Sequence, residues 1–487
     1  MINYEELVKH LCLVSPMIVL FLVSLIPITA KVLRGNVEQR PLISLLTGLV
    51  GLAAALVLLA VFSGSNSTAF NDKLLFDGLT LWTGAIAILA SAASLIIMHE
   101  NPATKGRQYS EYVFLTLNTV VGMLILCSAV DLLLIFIGLE MMSLPLYLMI
   151  AMSHEEKLAK ESAIKYFLLG SFASAIFLFG VSFIFGTTGT TNVLGFVEKT
   201  LTLVATNRLF LFGMAFVIIG FCFKVSIAPF HAWTPDVYQG APTPITAMMA
   251  TAVKTVSFAA FLRVIATRSL LGSEALLDLL QWLAVATMIV GNVAALVQTN
   301  LKRILAYSSI AHSGYLLVGL IGSGISETGV FGASSVIFYL FTYSLMTIGA
   351  FAVLAMMEKS EGSLVKVEDL AGLAKRRPLL SFCFTIFMLS LAGLPPTLGF
   401  FGKFYLFTAA IGEGLIWLAV WGVINSVISV YYYLRPVVVM YMTEGEADTA
   451  PHSLNATIIT AIACAFFIVC LGLVSGPLFD AVERSLF

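Results

Sequence analysis

Residues Leu134 to Met149 read LIFIGLEMMSLPLYLM, an apolar run with a single carboxylate, Glu140, set in its middle. A helix that spans a bilayer needs ~20 mostly apolar residues, and this run extends from about 130 to 151. At 1.5 Å per residue Glu140 stands roughly 15 Å from either end, too deep for its short side chain to reach an interface. A charge at the centre of a spanning helix costs ~2.5–3.5 kcal/mol on insertion scales. The acid is therefore either functional, kept neutral, or paired simply to hold two helices together.

The rest of the chain repeats the pattern. Of 487 residues, 59% are hydrophobic and 11% charged, less than half the roughly 25% charged fraction of a soluble domain. Mean hydropathy is +1.00. A soluble enzyme, a nucleic-acid binder and a secreted disulfide scaffold are excluded. Fourteen apolar stretches stand at about 11–31, 42–63, 76–98, 111–128, 130–151, 162–186, 208–230, 242–266, 276–298, 303–322, 330–357, 378–410, 415–441 and 453–478. The alternating ~10-residue segments of a β-barrel are absent, so the spans are helices. The expected fold is an all-α membrane protein of about 14 transmembrane helices in one polytopic domain, 1–487.

Fourteen of the 26 Lys and Arg fall in odd-numbered connections, from Lys31, Arg34 and Arg40 in the first to Lys375, Arg376 and Arg377 in the eleventh. Seven fall in even connections and termini, among them Lys199 and Arg263. Basic residues gather on the cytoplasmic side, which places the odd loops inside and both termini outside. The first apolar run follows Glu5 and Glu6 rather than a basic cluster, so it reads as a retained helix, not a signal peptide. The six cysteines, widely spaced and mostly within apolar runs, read as small buried hydrophobes. The net charge of -1 points to no nucleic-acid partner.

Segments 4–8 and 9–13, at 111–268 and 276–441, align as two five-helix repeats, and an odd helix number inverts the second copy. Segments 7 and 12 then correspond. Both carry a lysine beside a proline interruption, in FKVSIAPFHAW (Phe223 to Trp233) and SLAGLPPTLGFFGKF (Ser390 to Phe404). Inverted repeats with matching broken helices point to an ion pathway.

Four lysines lie within apolar segments with Glu140. Lys224 precedes Pro229 by five residues, Lys254 is about twelve residues into segment 8, and Lys403 follows the Pro395-Pro396 break. The bland alternative for each is snorkelling to an interface, which fits Lys254 poorly. Lys165, in ESAIKYFLLG (Glu161 to Gly170), sits just inside the cytoplasmic end of segment 6, about 10 Å above Glu140 along straight helices. His231 and His312 accompany the lysines and read equally as packing residues or as relay groups. The run YYYLR (Tyr431 to Arg435) reads as an interface anchor. Desolvation disfavours an ammonium and a nearby carboxylate restores it, so spaced lysines with a movable acid can pick up and release protons. There is no His/carboxylate cluster for a metal and no glycine-rich fingerprint for NADH or ATP.

Three longer motifs go further: KVSIAPFHAWTPDVYQGAPTPITA (Lys224 to Ala247), NLKRILAYSSIAHSGY (Asn300 to Tyr315) and LAGLPPTLGFFGKFYLF (Leu391 to Phe407). With them the chain resembles the antiporter-like, proton-translocating membrane subunits of bacterial NADH-quinone oxidoreductase, respiratory complex I. The resemblance spans nearly the whole chain and implies a proton relay of Glu140, Lys165, Lys224, Lys254 and Lys403, with His231 and His312 as further members. It implies a translocase subunit in the bacterial inner membrane, lying against other membrane and peripheral subunits, especially neighbouring antiporter-like ones. Flavin, iron-sulfur clusters and quinone would be held by those partners, and no cofactor by this chain. Within the family the resemblance is to the branch with lysine rather than glutamate at position 403 and without the extra lateral helix of another branch. A subunit of a multi-component sodium/proton antiporter and a non-conducting scaffold are the two rival readings.

Overall fold

A computed structural model describes residues 4–33, 41–62, 66–104, 108–153, 157–195, 203, 207–265, 268–271, 273–325, 329–358, 365–445 and 455–486. Among the described residues, twelve helices are long and apolar enough to cross a membrane. The chain is a multi-pass, all-α membrane protein. In order, the principal helices are α1 (Tyr4–Leu33), α2 (Pro41–Phe62), α3 (Gly78–Glu100), α4 (Tyr109–Ser128), α5 (Leu132–Ala151) and α6 (Lys157–Thr188). They continue as α7 (Arg208–Lys224), α8 (Trp233–Gly240), α9 (Thr243–Ile265), α10 (Glu274–Leu296), α11 (Leu301–Ile325) and α12 (Val330–Met357). The last are α13 (Pro378–Ala392), α14 (Leu398–Gly412), α15 (Ile416–Met442), α16 (Asn455–Leu473) and α17 (Ser475–Leu486).

The apolar runs become helices because a bilayer leaves backbone N–H and C=O groups no partner but each other. Side chains finish the ends. Asp131 accepts from the N–H groups of Leu133 and Leu134 to start α5, and Asn207 does the same for Leu209 and Phe210 at α7. Between α2 and α3 a short antiparallel hairpin pairs Ser67–Ala69 with Leu74–Phe76.

Two helices are interrupted where the sequence places proline. The chain leaves the helix between α7 and α8, around Pro229, and again between α13 and α14, around Pro395 and Pro396. Gly393 ends α13 with φ +82°, a left-handed conformation natural to glycine.

The centre of the bundle is formed by α9 and α11, whose residues are almost all buried, and α12 packs against them. Helices α1, α2, α6, α15 and α16 lie at the periphery and turn Leu, Ile, Val and Phe outward. Within α9, Met249–Val253 form a π-helical stretch immediately before Lys254, a widening often found at functional sites.

Three basic residues counted as loop charges take structural places. Arg263 lies within α9, its side chain 7% exposed, and pairs with Asp77 at 2.6 Å. Lys302 and Arg303 lie in the first turn of α11. Arg34, Arg40, Lys105, Arg107, Lys199 and Lys359 lie outside the described residues.

Candidate functional site

Lys224 is the last residue of α7 and is buried. Its Nζ donates to Ser143 Oγ of α5 at 2.6 Å and to Tyr166 Oη of α6 at 3.2 Å. The ammonium also lies 5.3 Å from the centre of the Tyr166 ring, where the ring quadrupole attracts it. Tyr166 is held in turn by stacking on Trp233 at 4.7 Å. A crevice beside Lys224 is lined by Ser143, Tyr147, Gly170, Ser174 and Gly220. A Cβ on Gly170 would stand 2.2 Å from Tyr147 Oη, so any larger residue would have to displace the tyrosine.

Glu140 lies one turn before Ser143 on α5. Its Oε1 is buried with no hydrogen-bond partner among the described residues. Lys165 does not meet it. Instead Lys165 reaches the rim of the bundle, 40% exposed, and pairs with Asp236 at 2.8 Å and Glu161 at 2.7 Å. Asp236 also takes Arg303 Nη1 at 3.0 Å. The depth gap read from the sequence is thus resolved by a different acid.

Lys254 is buried in α9 and donates to the carbonyl and hydroxyl of Ser309 at 2.6 and 2.5 Å, 5.3 Å from the Tyr343 ring. Lys403 donates to the Ala392 carbonyl at 3.0 Å and Ser426 Oγ at 2.9 Å, 5.0 Å from the Tyr315 ring. Between them His312 is buried, its Nδ1 2.5 Å from Tyr339 Oη and its Nε2 2.9 Å from Tyr433 Oη. His231 lies in the first break, half-buried, its Nδ1 without a partner among the described residues.

One helix collects these groups. Along α11, Ser309 receives Lys254, His312 joins two tyrosines, Ser313 donates to the Val225 carbonyl beside Lys224 at 2.5 Å, and Tyr315 faces Lys403. Positions three and four apart share a helix face, so these side chains form a polar stripe through an apolar bundle.

Several contributors escaped the sequence reading. Tyr432 and Tyr433 are not interface anchors: both are fully buried, Tyr433 against His312 and Ser308, and Tyr432 donating to Asn292 at 2.9 Å. An anchor and a core tyrosine have the same sequence signal, and only the packing of α15 separates them. Ser143, Tyr166, Asp236 and Ser309 were equally hidden, because their partners are distant in sequence. Among the described residues no cluster of three or more His, Cys, Asp or Glu could hold a metal.

Residues 129–429, which include Glu140, Lys165, Lys224, Lys254, His312 and Lys403 but not Tyr432 and Tyr433, match the family described as NADH:quinone oxidoreductase/Mrp antiporter, TM. The chain is 69% identical to NADH-quinone oxidoreductase subunit N of Bdellovibrio bacteriovorus over 474 residues, 97% of this chain and 98% of that one. The chain belongs to the NADH-quinone oxidoreductase subunit N family. Its fold agrees with that of a chain of respiratory complex I from Thermus thermophilus, 33% identical, with TM-score 0.81 over 96% of this chain and 99% of that one. A chain of the Mrp complex from Dietzia sp. superposes with TM-score 0.82, covering 96% of both chains, at 21% identity; that likeness concerns the fold alone. The family resemblance read from the three motifs and the all-helical membrane fold are thereby borne out for this subunit N family member.

Proposed function

We propose that the chain is a proton-translocating membrane subunit of bacterial NADH:quinone oxidoreductase, set in the inner membrane beside other antiporter-like subunits. The observation that carries this reading is the polar stripe of α11, which meets the buried Lys254 and Lys403 directly and the backbone beside the buried Lys224 through Ser313. A packed apolar bundle gains nothing from three ammonium groups, and intramembrane charges of this kind mark proton paths.

In this reading quinone reduction in partner subunits changes the electrostatics at Glu140, whose Oε1, without a partner among the described residues, lets it change partner. Lys165, acting through Asp236, and Glu140 bias whether Lys224 holds its proton. The proton passes by Lys254 and His312 to Lys403 and leaves on the outer face; His231 serves the first break. Segments 111–268 and 276–441 act as two inverted five-helix repeats within a unit of about fourteen helices, with both termini outside. Flavin, iron-sulfur clusters and quinone belong to the partners.

The test is reconstitution of the whole complex in vesicles with Lys224→Ala or Glu140→Ala. Each variant should assemble and show impaired coupled pumping. Normal protons per NADH in both would overturn the reading.

A further inference from the structure

Away from the stripe, at the end of the bundle where α9 and α11 begin, three chain segments converge on a carboxylate of a fourth. Glu358 directly follows α12 and is buried. Asn101, just after α3, donates its Nδ2 to Oε2 at 2.8 Å. Thr243, the first residue of α9, donates its hydroxyl to Oε1 in a short contact. Lys302, in the first turn of α11, brings its Nζ to 2.9 Å from the same Oε1, and also donates to the Ala241 carbonyl at 3.2 Å. The two charged side chains are only 8% and 6% exposed.

Stability alone does not account for this arrangement. Burying two charges incurs a desolvation cost that their attraction offsets only partly, and apolar pairs of similar size often stabilise better. What a carboxylate with three directed donors adds is geometry. It ties the start of α9 to the start of α11, which is itself fixed to the segment after α12: Leu301 N–H donates to the Val365 carbonyl at 3.0 Å and Val367 N–H to the Thr299 carbonyl at 2.9 Å.

The same two helices meet again further in. Lys254 follows Thr243 by eleven residues along α9, and Ser309 follows Lys302 by seven along α11. Lys254 Nζ reaches both acceptors of Ser309 at 2.5–2.6 Å, a geometry that an axial slip of one helix past the other would break. Between the two meeting points α9 contains its π-helical stretch, Met249–Val253, where the backbone spacing departs from the ordinary helix. An end held in place is what keeps such a stretch from shifting Lys254.

We propose that Lys302 and Glu358 are positioning residues, a clamp that holds the first turns of α9 and α11 in one axial register and so keeps Lys254 on Ser309. The proposal rests on the reading that Lys254 belongs to the proton path. Neither clamp residue touches the travelling proton.

The test uses the assembled complex in vesicles, with NADH oxidation and proton uptake measured together and normalised to assembled complex. Lys254→Met serves as the reference. Glu358→Gln should lower protons moved per NADH to the Lys254→Met value, because an uncompensated Lys302 no longer anchors α11. Lys302→Met should lower the ratio, and Lys302→Arg, which keeps the pair, should preserve it. A merely structural role would reduce the amount of complex and both rates together, leaving the ratio unmoved, and that result overturns the clamp. If Glu358→Gln fails to assemble, the Lys302 pair of variants decides: equal ratios for Met and Arg overturn it. An unchanged ratio in Lys254→Met instead removes the relay reading itself, and the clamp with it.

Discussion

Lys224 closes the helix that runs into its break, whereas Lys403 stands about a turn and a half into the helix that leaves its own. At the first break the carbonyls near the lysine are already taken. Phe223 accepts from the Trp233 indole at 2.9 Å and Val225 from Ser313 at 2.5 Å. Lys224 is left with two hydroxyls from other helices, Ser143 and Tyr166. At the second break Ala392, the last residue of α13, offers its carbonyl directly to Lys403, with Ser426 beside it. A hydroxyl rotates and can donate as well as accept, while a carbonyl only accepts. The hydroxyls of the first site can reorient as the lysine gains or loses its proton, whereas the second site holds its lysine on one fixed acceptor. In the proposed path that is the difference between a switch and a terminus.

The sharpest way to break this comparison is to remove both hydroxyls at Lys224. A hydrogen bond to a charged group contributes about 1.5–3 kcal/mol, so Ser143→Ala with Tyr166→Phe should slow proton translocation roughly tenfold or more, read as the rate of pH-gradient formation in vesicles. Next comes Tyr433→Phe, which takes one partner from His312 and leaves Tyr339. The expected loss is about 3- to 10-fold, in line with one buried hydrogen bond of ~0.5–1.5 kcal/mol. Ser426→Ala should matter least among the site variants, about twofold or less, since the Ala392 carbonyl stays in place. Losses at Ser426 as large as those at Ser143 and Tyr166 would erase the distinction between the two breaks.

The smallest effect on transport is expected at the opposite end of α9. Asp77 stands outside the spans, just before α3, and pairs with Arg263. Burial pushes its carboxyl up, but the Arg263 guanidinium and hydrogen bonds from Arg263 and Thr80 outweigh this and hold it below its ordinary value. A carboxyl depressed in the folded state adds stability above its unfolded value, about 3.9, and loses it as pH falls through the folded one. Asp77→Asn should leave pumping intact and lower the melting temperature at pH 7. The gap between variant and parent should close below about pH 4. A gap that persists unchanged in acid would show that the pair does not act through its charge.

Much of the fold was legible because apolar length is a local signal. The long apolar runs and the two proline interruptions follow from counting residues between chain landmarks. Partners are not local. Lys165 was correctly placed near a helix end, yet its acid, Asp236, lies 71 residues away across the first break. The buried tyrosines of α15 looked like interface residues because a run of aromatics near a helix end is what an interface also selects. Arg263 and Lys302 were counted as loop charges, although each is a buried half of an ion pair. Charge counting supports an orientation, but it cannot tell a residue facing water from one that locks two helices together.

The third helix has a consequence for how the chain is made. Glu100 at its end accepts from the N–H groups of Ala456 and Thr457 at 3.1 and 3.0 Å, and Trp82 near its start donates to Ser485 at 2.5 Å. Those partners follow 356 to 403 residues later. At ~5–20 residues per second of synthesis, helix α3 waits roughly 20–80 s in the membrane before its last neighbours emerge. During that interval its exposed carboxylate and indole must be sheltered by the insertion machinery or by lipid headgroups. A ribosome stalled after residue 440 should therefore hold a nascent chain whose third helix is readily cross-linked to its surroundings, and release of the final segment should end that reactivity.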